Sequence, residues 1–275
     1  MEIMILLENN SVDAQLETKH GLSVFIKYRG KNILLDTGPD NKFIKNAKKL
    51  NADLTKIDLV FLSHSHYDHT GGLNAFFKMN KNPPPVYLMD KVSSRYYKKQ
   101  KFFNISIGLK MSKKYNSKIT QLDNDLIIDN SIYFFRNTVS DNVKPASNSK
   151  LFKKENKNII PDTFDHEGIL VLEENGELAI FNSCSHNGLL NIIGTVEAKI
   201  PGKKIRCYTG GLHLSNPGTK QHDNEEYLDM LAEKIIKKGI TLYTGHCTGR
   251  YALEYMKKKL DSRMREINTG MRLNI

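Results

Sequence analysis

No stretch of the 275-residue sequence reaches about 18 consecutive apolar residues, so nothing in it reads as a membrane-spanning helix. The first residues, "MEIMILLENNS", carry acids where an export signal has basic residues, and their apolar stretch is short; they read as a strand. Cysteine is scarce: Cys184, Cys207 and Cys247 are an odd, widely spaced set, which excludes a disulfide framework and makes the cytoplasm the expected compartment. There is no Gly-x-Ser-x-Gly elbow and no Walker loop, and the serines of "GLSVF" and "SCSHNG" have no separate His/Asp partner pattern. No repeat of 20–50 residues is visible.

The sequence is rich in positive charge. Lys and Arg number 41 against 30 Asp and Glu, a net charge of +11. An anionic partner is one reading, whether nucleic acid, a phosphorylated small molecule or a membrane surface. A general preference for Lys and Asn, visible throughout the chain, is the other. The length suits one large domain or two small ones, with ample material for a core.

Hydropathy patterning alternates strands with helices. Residues 1–8 read as a strand, and Leu22–Tyr28 and Asn32–Asp36 as a hairpin turning at "RGK". Phe43, Ile44, Ala47 and Leu50 follow helical spacing, and "KIDLVFLSH" has the continuous apolar run of a buried strand. "GGLNAFFKM" opens a helix and "PPPVYLM" is a strand. Residues 91–118 stand apart, with nine Lys/Arg, five aromatics and no acid; they read as a basic aromatic insertion or cap. "LIIDNSIYFF" resumes strand character, and 141–163 reads as polar loop. "GILVLEENGELAIF" is a hairpin around Asn-Gly. A helix over about 188–198, a strand "KKIRCYTGGLHL", the amphipathic helix "DNEEYLDMLAEKIIKKG", a strand "ITLYTGHCTG", a helix over about 249–263 and a terminal strand "GMRLNI" complete the chain. The expectation is a single domain over 1–275, built of two weakly similar sheet-and-helix halves.

Three of the nine histidines fall in "LSHSHYDHTGG", residues 62–72, at the junction of a strand and a helix. In extended backbone, positions two apart point the same way, so His64 and His66 can grip one ion. Asp68 and His69 follow the turn and face a neighbouring position. Imidazole with carboxylate suits Zn²⁺, Mn²⁺ or Fe²⁺, and Gly71-Gly72 allows a tight exit. Such a cluster needs ligands from elsewhere. His186 in "SCSHNG" and His246 in "TGHCTG" end strands, where sites of α/β proteins collect. His213 in "GGLHL" reads as a ligand, a substrate contact or a residue behind the ligands. Asp36 in "LLDTG" either orients a ligating imidazole or caps a turn. Cys184 either contacts metal or fills core; Cys207 reads as core and Cys247 as packed beneath the site. His20, His166 and His222 have ordinary surroundings, and surface or loop roles are expected for the last two.

The His-x-His-x-Asp-His stretch at 64–69, "ILLDTG" at 33–38, and the strand-end His186 and His246 resemble the metallo-β-lactamase superfamily. "KHGLSVFI", "SHSHYDHTGG", "PDTFDHEGILVL", "SCSHNG", "GGLHL" and "GHCTG" follow one another as in a subfamily of its metal-dependent hydrolases. That subfamily includes proteins labelled 7,8-dihydropterin-6-yl-methyl-4-(β-D-ribofuranosyl)aminobenzene 5′-phosphate synthase. The resemblance implies an α/β, four-layer αββα sandwich with one or two Zn²⁺ ions at one edge, Mn²⁺ or Fe²⁺ being alternatives. His66 stands where the redox-active flavodiiron branch typically carries glutamate, which favours hydrolysis. The superfamily's usual bridging aspartate has no clear counterpart; Cys184 or His186 falls where it is expected.

The chemistry so implied is attack by a metal-bound hydroxide on an ester, lactone or phosphoester of a small anionic substrate, phosphorylated molecules included. His64, His66 and His186 would hold one metal and Asp68, His69 and His246 the other; Asp68 would also guide the proton, and His213 would act at the substrate. Three alternatives stand beside this reading: a synthase of the methanopterin type, a nuclease gripping phosphates and bases with residues 91–118, and a non-catalytic metal-containing binding module. The oligomeric state is not encoded in any feature of the sequence.

Overall fold

The computed structural model describes residues 1–215 and 222–275. Strands β1 (Glu2–Leu7), β2 (Ser23–Tyr28) and β3 (Lys31–Leu35) lead to helix α1 (Lys42–Lys49) and strand β4 (Leu59–Leu62). The short α2 (Tyr67–Thr70) and α3 (Leu73–Met79) follow, then β5 (Val86–Leu88), β6 (Tyr96–Lys99), β7 (Asn104–Ser106), β8 (Ile119–Gln121), β9 (Leu126–Ile128) and β10 (Ile132–Arg136). Next come β11 (Leu151–Glu155), β12 (Asn158–Pro161), β13 (Gly168–Glu174), β14 (Glu177–Phe181), α4 (Leu189–Lys199) and β15 (Lys204–Thr209). The chain ends with α5 (Glu225–Lys238), β16 (Thr241–Thr244), α6 (Arg250–Leu260), β17 (Met264–Glu266) and β18 (Arg272–Asn274). No helix of the described residues is long and apolar enough to cross a membrane.

These elements divide between two compact units. The first comprises 1–123, 150–166 and 268–275. Its main sheet has the order β18-β1-β2-β3-β4-β5-β8, antiparallel from β18 to β3 and parallel from β3 to β8. The strands are apolar on both faces because both are buried. Met4, Leu6, Phe25, Leu34, Val60, Leu62, Val86 and Leu88 share one cluster with Phe43 and Ala47 of α1 and Leu73, Phe76 and Phe77 of α3. Their neighbours in the strands, such as Ile3, Ile5, Ile26, Ile33 and Phe61, are buried as well.

The second unit comprises 124–149 and 167–267. Its sheet has the order β17-β16-β15-β14-β13-β10-β9, antiparallel from β9 to β14 and parallel from β14 to β17. Ile169, Val171, Leu178, Ile180 and Leu242 pack with Ile192, Ile193 and Val196 of α4, Leu228, Leu231 and Ile235 of α5, and Met256 of α6. Helix α5 starts at Asn224, whose side chain accepts a hydrogen bond from Tyr227 N; Glu225 and Glu226 fill its first turn, Lys237 and Lys238 its last. Each sheet thus runs from hairpin strands into parallel crossovers, and the crossovers bring strand C-termini to one sheet edge.

The two hairpins that the sequence announces close as their turn chemistry requires. Arg29-Gly30 and Asn175-Gly176 all have positive φ, the geometry that matches the twist of paired strands.

The segment 141–163 differs from its reading as loop, and 91–118 contributes strands beside it. Residues 91–118 contain β6 and β7, and the supposed loop over 141–163 contains β11 and β12; together these form a four-stranded antiparallel sheet of order β12-β11-β6-β7. The residues of this sheet are mostly exposed, Tyr96 and Leu151 being buried, so lysines occupy positions where a core strand shows alternation. Its central pairing, Leu151 with Lys98, joins residues too distant in sequence for local periodicity to reveal. Helix α6 also stops at Leu260, and the residues read as its end lead into β17.

Candidate metal centre

In the first unit, β4 ends at Leu62, the chain bends at Ser63 and again at Ser65, and His66, itself extended, precedes the turn of α2. His64 and His69 are fully buried, and His66 nearly so. A ligand nitrogen of His64 lies within 4.8 Å of one on His66 and of one on His69. The His64 ring centroid is 4.6 Å from that of His66 and 4.3 Å from that of His69. Asp68 brings Oδ2 to 3.5 Å from His69 Nε2. On its other side, the same oxygen is 3.4 Å from Nε2 of His20, a residue whose surroundings in sequence gave no sign of a role.

Asp36, fully buried at the end of β3, organises this group. Its Oδ1 accepts from Ser63 N at 2.7 Å, and its Oδ2 accepts from Ser63 Oγ at 2.6 Å. The same Oδ2 is 2.8 Å from His69 Nδ1. A carboxylate accepts only, so His69 carries its proton on Nδ1. Ser63 has spent its hydroxyl proton on Asp36, so at 2.9 Å from His64 Nδ1 it accepts, and His64 carries Nδ1–H too. Nε2 therefore bears the lone pair on both rings, the tautomer in which imidazole ligates metal through Nε2. Burial, with His166 nearby, pushes His66 down to about 4, which keeps that ring neutral near pH 7.

Gly71 and Gly72 earn their place by space. Both have ordinary helical φ, yet a Cβ at Gly71 would lie 2.2 Å from Pro39 O and one at Gly72 2.3 Å from Thr37 O. Thr37 N donates to His69 O at 2.7 Å, and this close strand-to-turn approach fixes the turn that carries Asp68 and His69. Gly71→Ala is expected to cost about 3 kcal/mol. Gly30→Ala, with φ +76 but nothing within 4 Å of its Cβ, is expected to cost about 1 kcal/mol. Urea midpoints of the two variants check the ranking.

In the second unit, His186 follows β14, His213 follows β15 and His246 follows β16. Asn148 Nδ2 donates to His186 O at 2.7 Å, which orients the amide so that its Oδ1 faces His186 Nδ1 at 3.0 Å. Nδ1 is again the protonated nitrogen, and Nε2 carries the lone pair. Glu167, buried and not singled out by the sequence, accepts from His186 N at 2.8 Å and Asn187 N at 2.9 Å, holding the turn. The His213 ring lies 4.2 Å from that of His186. Cys184 Sγ, a His213 nitrogen and Cys247 Sγ lie within 4.8 Å of one another. Gly211 makes room for Cys247, since a Cβ there would be 2.4 Å from its Sγ. Burial pushes the Cys207 thiol up to about 12, as suits a core residue. His222 stacks on Tyr251 at 3.7 Å. His166 lies in the loop between β12 and β13, but it corrects the surface reading: it is buried, with its ring 5.5 Å from that of His66.

The structure thus gathers Asp36, His64, His66, Asp68 and His69 in the first unit, and Cys184, His186 and His213 in the second, with His246 on a left-handed residue (φ 50) at the end of β16. The donor set fits a divalent metal: neutral imidazoles whose distal nitrogens are engaged, with a carboxylate beside them.

The family model of the metallo-β-lactamase superfamily matches residues 17–167, and the chain belongs to that superfamily. It has the α/β sandwich fold of that group: a solved metal-dependent hydrolase of the β-lactamase superfamily superposes with a TM-score of 0.83 at 24% identity, covering 100% of this chain and 99% of the other. Among curated proteins, the 7,8-dihydropterin-6-methyl-4-(β-D-ribofuranosyl)-aminobenzene-5′-phosphate synthase of Methanocaldococcus jannaschii is 28% identical over 272 residues, 92% of this chain and 89% of that protein. The Zn²⁺-bound PqqB of Methylobacterium extorquens superposes with a TM-score of 0.56 at 13% identity over the full length of both chains.

Proposed function

We propose that the protein is a metal-dependent hydrolase of a small anionic substrate, an ester, lactone or phosphoester that carries phosphate. The observation that carries this reading is the paired tautomer of His64 and His69, set by Ser63 and Asp36. Zn²⁺, as one or two ions, is the proposed metal, with Mn²⁺ or Fe²⁺ as alternatives. His64, His66 and His186 are the proposed ligands of one ion; Asp68, His69 and His246 are those of the other. The chemistry such an ion would supply is Lewis acidity, which lowers the pKa of a bound water towards about 7.

The chain's own groups do the rest. Asp36, Ser63 and Asn148 orient imidazoles and hold their Nδ1 protons. Asp68, whose carboxylate lies between His69 and His20, is placed to hold a proton at Oδ2. His213 and Cys184 are assigned to the substrate side or to support of the ligands. The net charge of +11 favours an anionic substrate. Buried thiols suit a reducing compartment, and the cytoplasm is our assignment.

A second reading, a synthase acting on a phosphorylated pterin-pathway intermediate, is supported by the similarity to the Methanocaldococcus protein. The test is a panel of phosphomonoesters, phosphodiesters, lactones and single-stranded RNA, offered to protein of measured metal content. Turnover of a small phosphoester or lactone is expected, with no affinity for RNA. RNA cleavage with binding that falls steeply with salt would make the protein a nuclease. Metal-loaded protein that binds the panel without turnover would make it a binding module.

A further inference from the structure

From the contacts of Ser65, which separates His64 from His66, we infer that Asp162 and His166 are positioning residues holding the two histidines from behind. This rests on the metal-binding reading of His64 and His66.

The loop after β12 is shaped by Asp162: its Oδ1 accepts from Phe164 N at 2.9 Å, and Phe164 takes φ +59. The loop delivers His166, whose side chain is buried together with that of Asp162. His166 Nε2 is 3.1 Å from Asp162 Oδ2. The carboxylate can only accept, so the proton of His166 sits on Nε2. Its Nδ1 then carries the lone pair and accepts from Ser65 N at 3.3 Å. This is the reverse of the tautomer set for His64, His69 and His186. A nitrogen of His66, an oxygen of Asp162 and a nitrogen of His166 lie within 4.8 Å of one another, a spacing that suits a metal. With Nδ1 accepting and Nε2 donating, however, His166 supports ligands and is not one of them.

Ser65 is held a second time. Its Oγ donates to Asp90 Oδ2 at 2.5 Å, and that oxygen also accepts from Tyr96 Oη at 2.8 Å. The Tyr96 ring lies 4.1 Å from the His166 ring. Tyr96 opens β6 and Asp162 directly follows β12, so the four-stranded sheet frames both groups that hold Ser65. This gives the segment 91–118 a role separate from any contact with substrate: part of it braces the ligand-bearing strand end.

The experiment compares His166→Asn, His166→Gln and His166→Ala, reading Co²⁺ affinity by chelator competition and the visible absorption of the bound ion, alongside thermal melting. Asparagine places an acceptor near the position of Nδ1 and can keep the Ser65 bond; glutamine reaches the position of Nε2 and cannot. H166N is expected to stay near wild type in affinity and spectrum, and H166Q and H166A to lose about 10–100-fold in affinity with a changed spectrum. If H166A does not fold, the asparagine–glutamine contrast alone decides. Three variants with wild-type affinity and spectrum would overturn the positioning role while leaving the metal site intact. A wild-type protein that binds no Co²⁺ would overturn the metal reading and this inference with it.

Discussion

His66→Ala is expected to lower metal affinity by more than about 100-fold and to bring turnover down to background. Ligand-supporting residues alone change affinity by about 10–100-fold when removed, and His66 is proposed as a direct ligand. Its ring is neutral near pH 7, since burial holds it down to about 4, so no proton has to leave before it binds an ion. Its backbone is anchored beyond the ring as well, for Tyr67 N donates to Ile107 O at 2.7 Å and His66 bridges Gly108. The alanine variant is therefore expected to fold. His222→Ala is the matched control: it removes a histidine stacked on Tyr251 and is expected to keep full metal content. Elemental analysis of both variants, with their thermal melting, separates loss of the metal from loss of the fold.

Asp36→Ala carries the second large effect, and it combines stability with metal binding. Asp36 accepts from Ser63 N, Ser63 Oγ and His69 Nδ1, all in a fully buried setting. Removing it leaves three buried donors without their acceptor, at a cost of about 4 kcal/mol. It also releases the tautomers of His64 and His69, for a further loss of about 10–100-fold in metal affinity. Asp36→Asn keeps the shape and one acceptor oxygen, so its loss of stability is expected to be about half as large while its metal affinity still falls. Chemical denaturation of metal-stripped protein measures the first effect; chelator competition measures the second.

What could be read from the sequence divides along physical lines. Residues fixed by local rules were legible: Arg29-Gly30 and Asn175-Gly176 announce their hairpins through turn chemistry, and α5 announces itself through its cap and end charges. The cluster His64, His66, Asp68, His69 was legible because its members are close in sequence, and the superfamily followed from it. Groups that act across long separations were not. Glu167 and Asn148 are polar residues in unremarkable stretches until the fold brings them to His186. His166 had one local signal, an acid four residues before it behind a proline, and that pattern gave no sign of Ser65 about a hundred residues away. The sheet of β6, β7, β11 and β12 was hidden because lysine-rich, exposed strands lack the alternation that burial imposes. Gly71 and Gly72 were legible as a tight exit, but their reason is close approach of backbone and not an unusual φ.

The central claim is that the buried histidines exist to hold a metal on which catalysis depends. Stripping the purified protein with a chelator, then titrating Zn²⁺ back while following both bound metal and turnover of a phosphoester or lactone, tests it most directly. Turnover is expected to vanish on stripping and to return in proportion to bound Zn²⁺, saturating at one or two ions per chain. A stripped protein that keeps its full turnover would contradict the account.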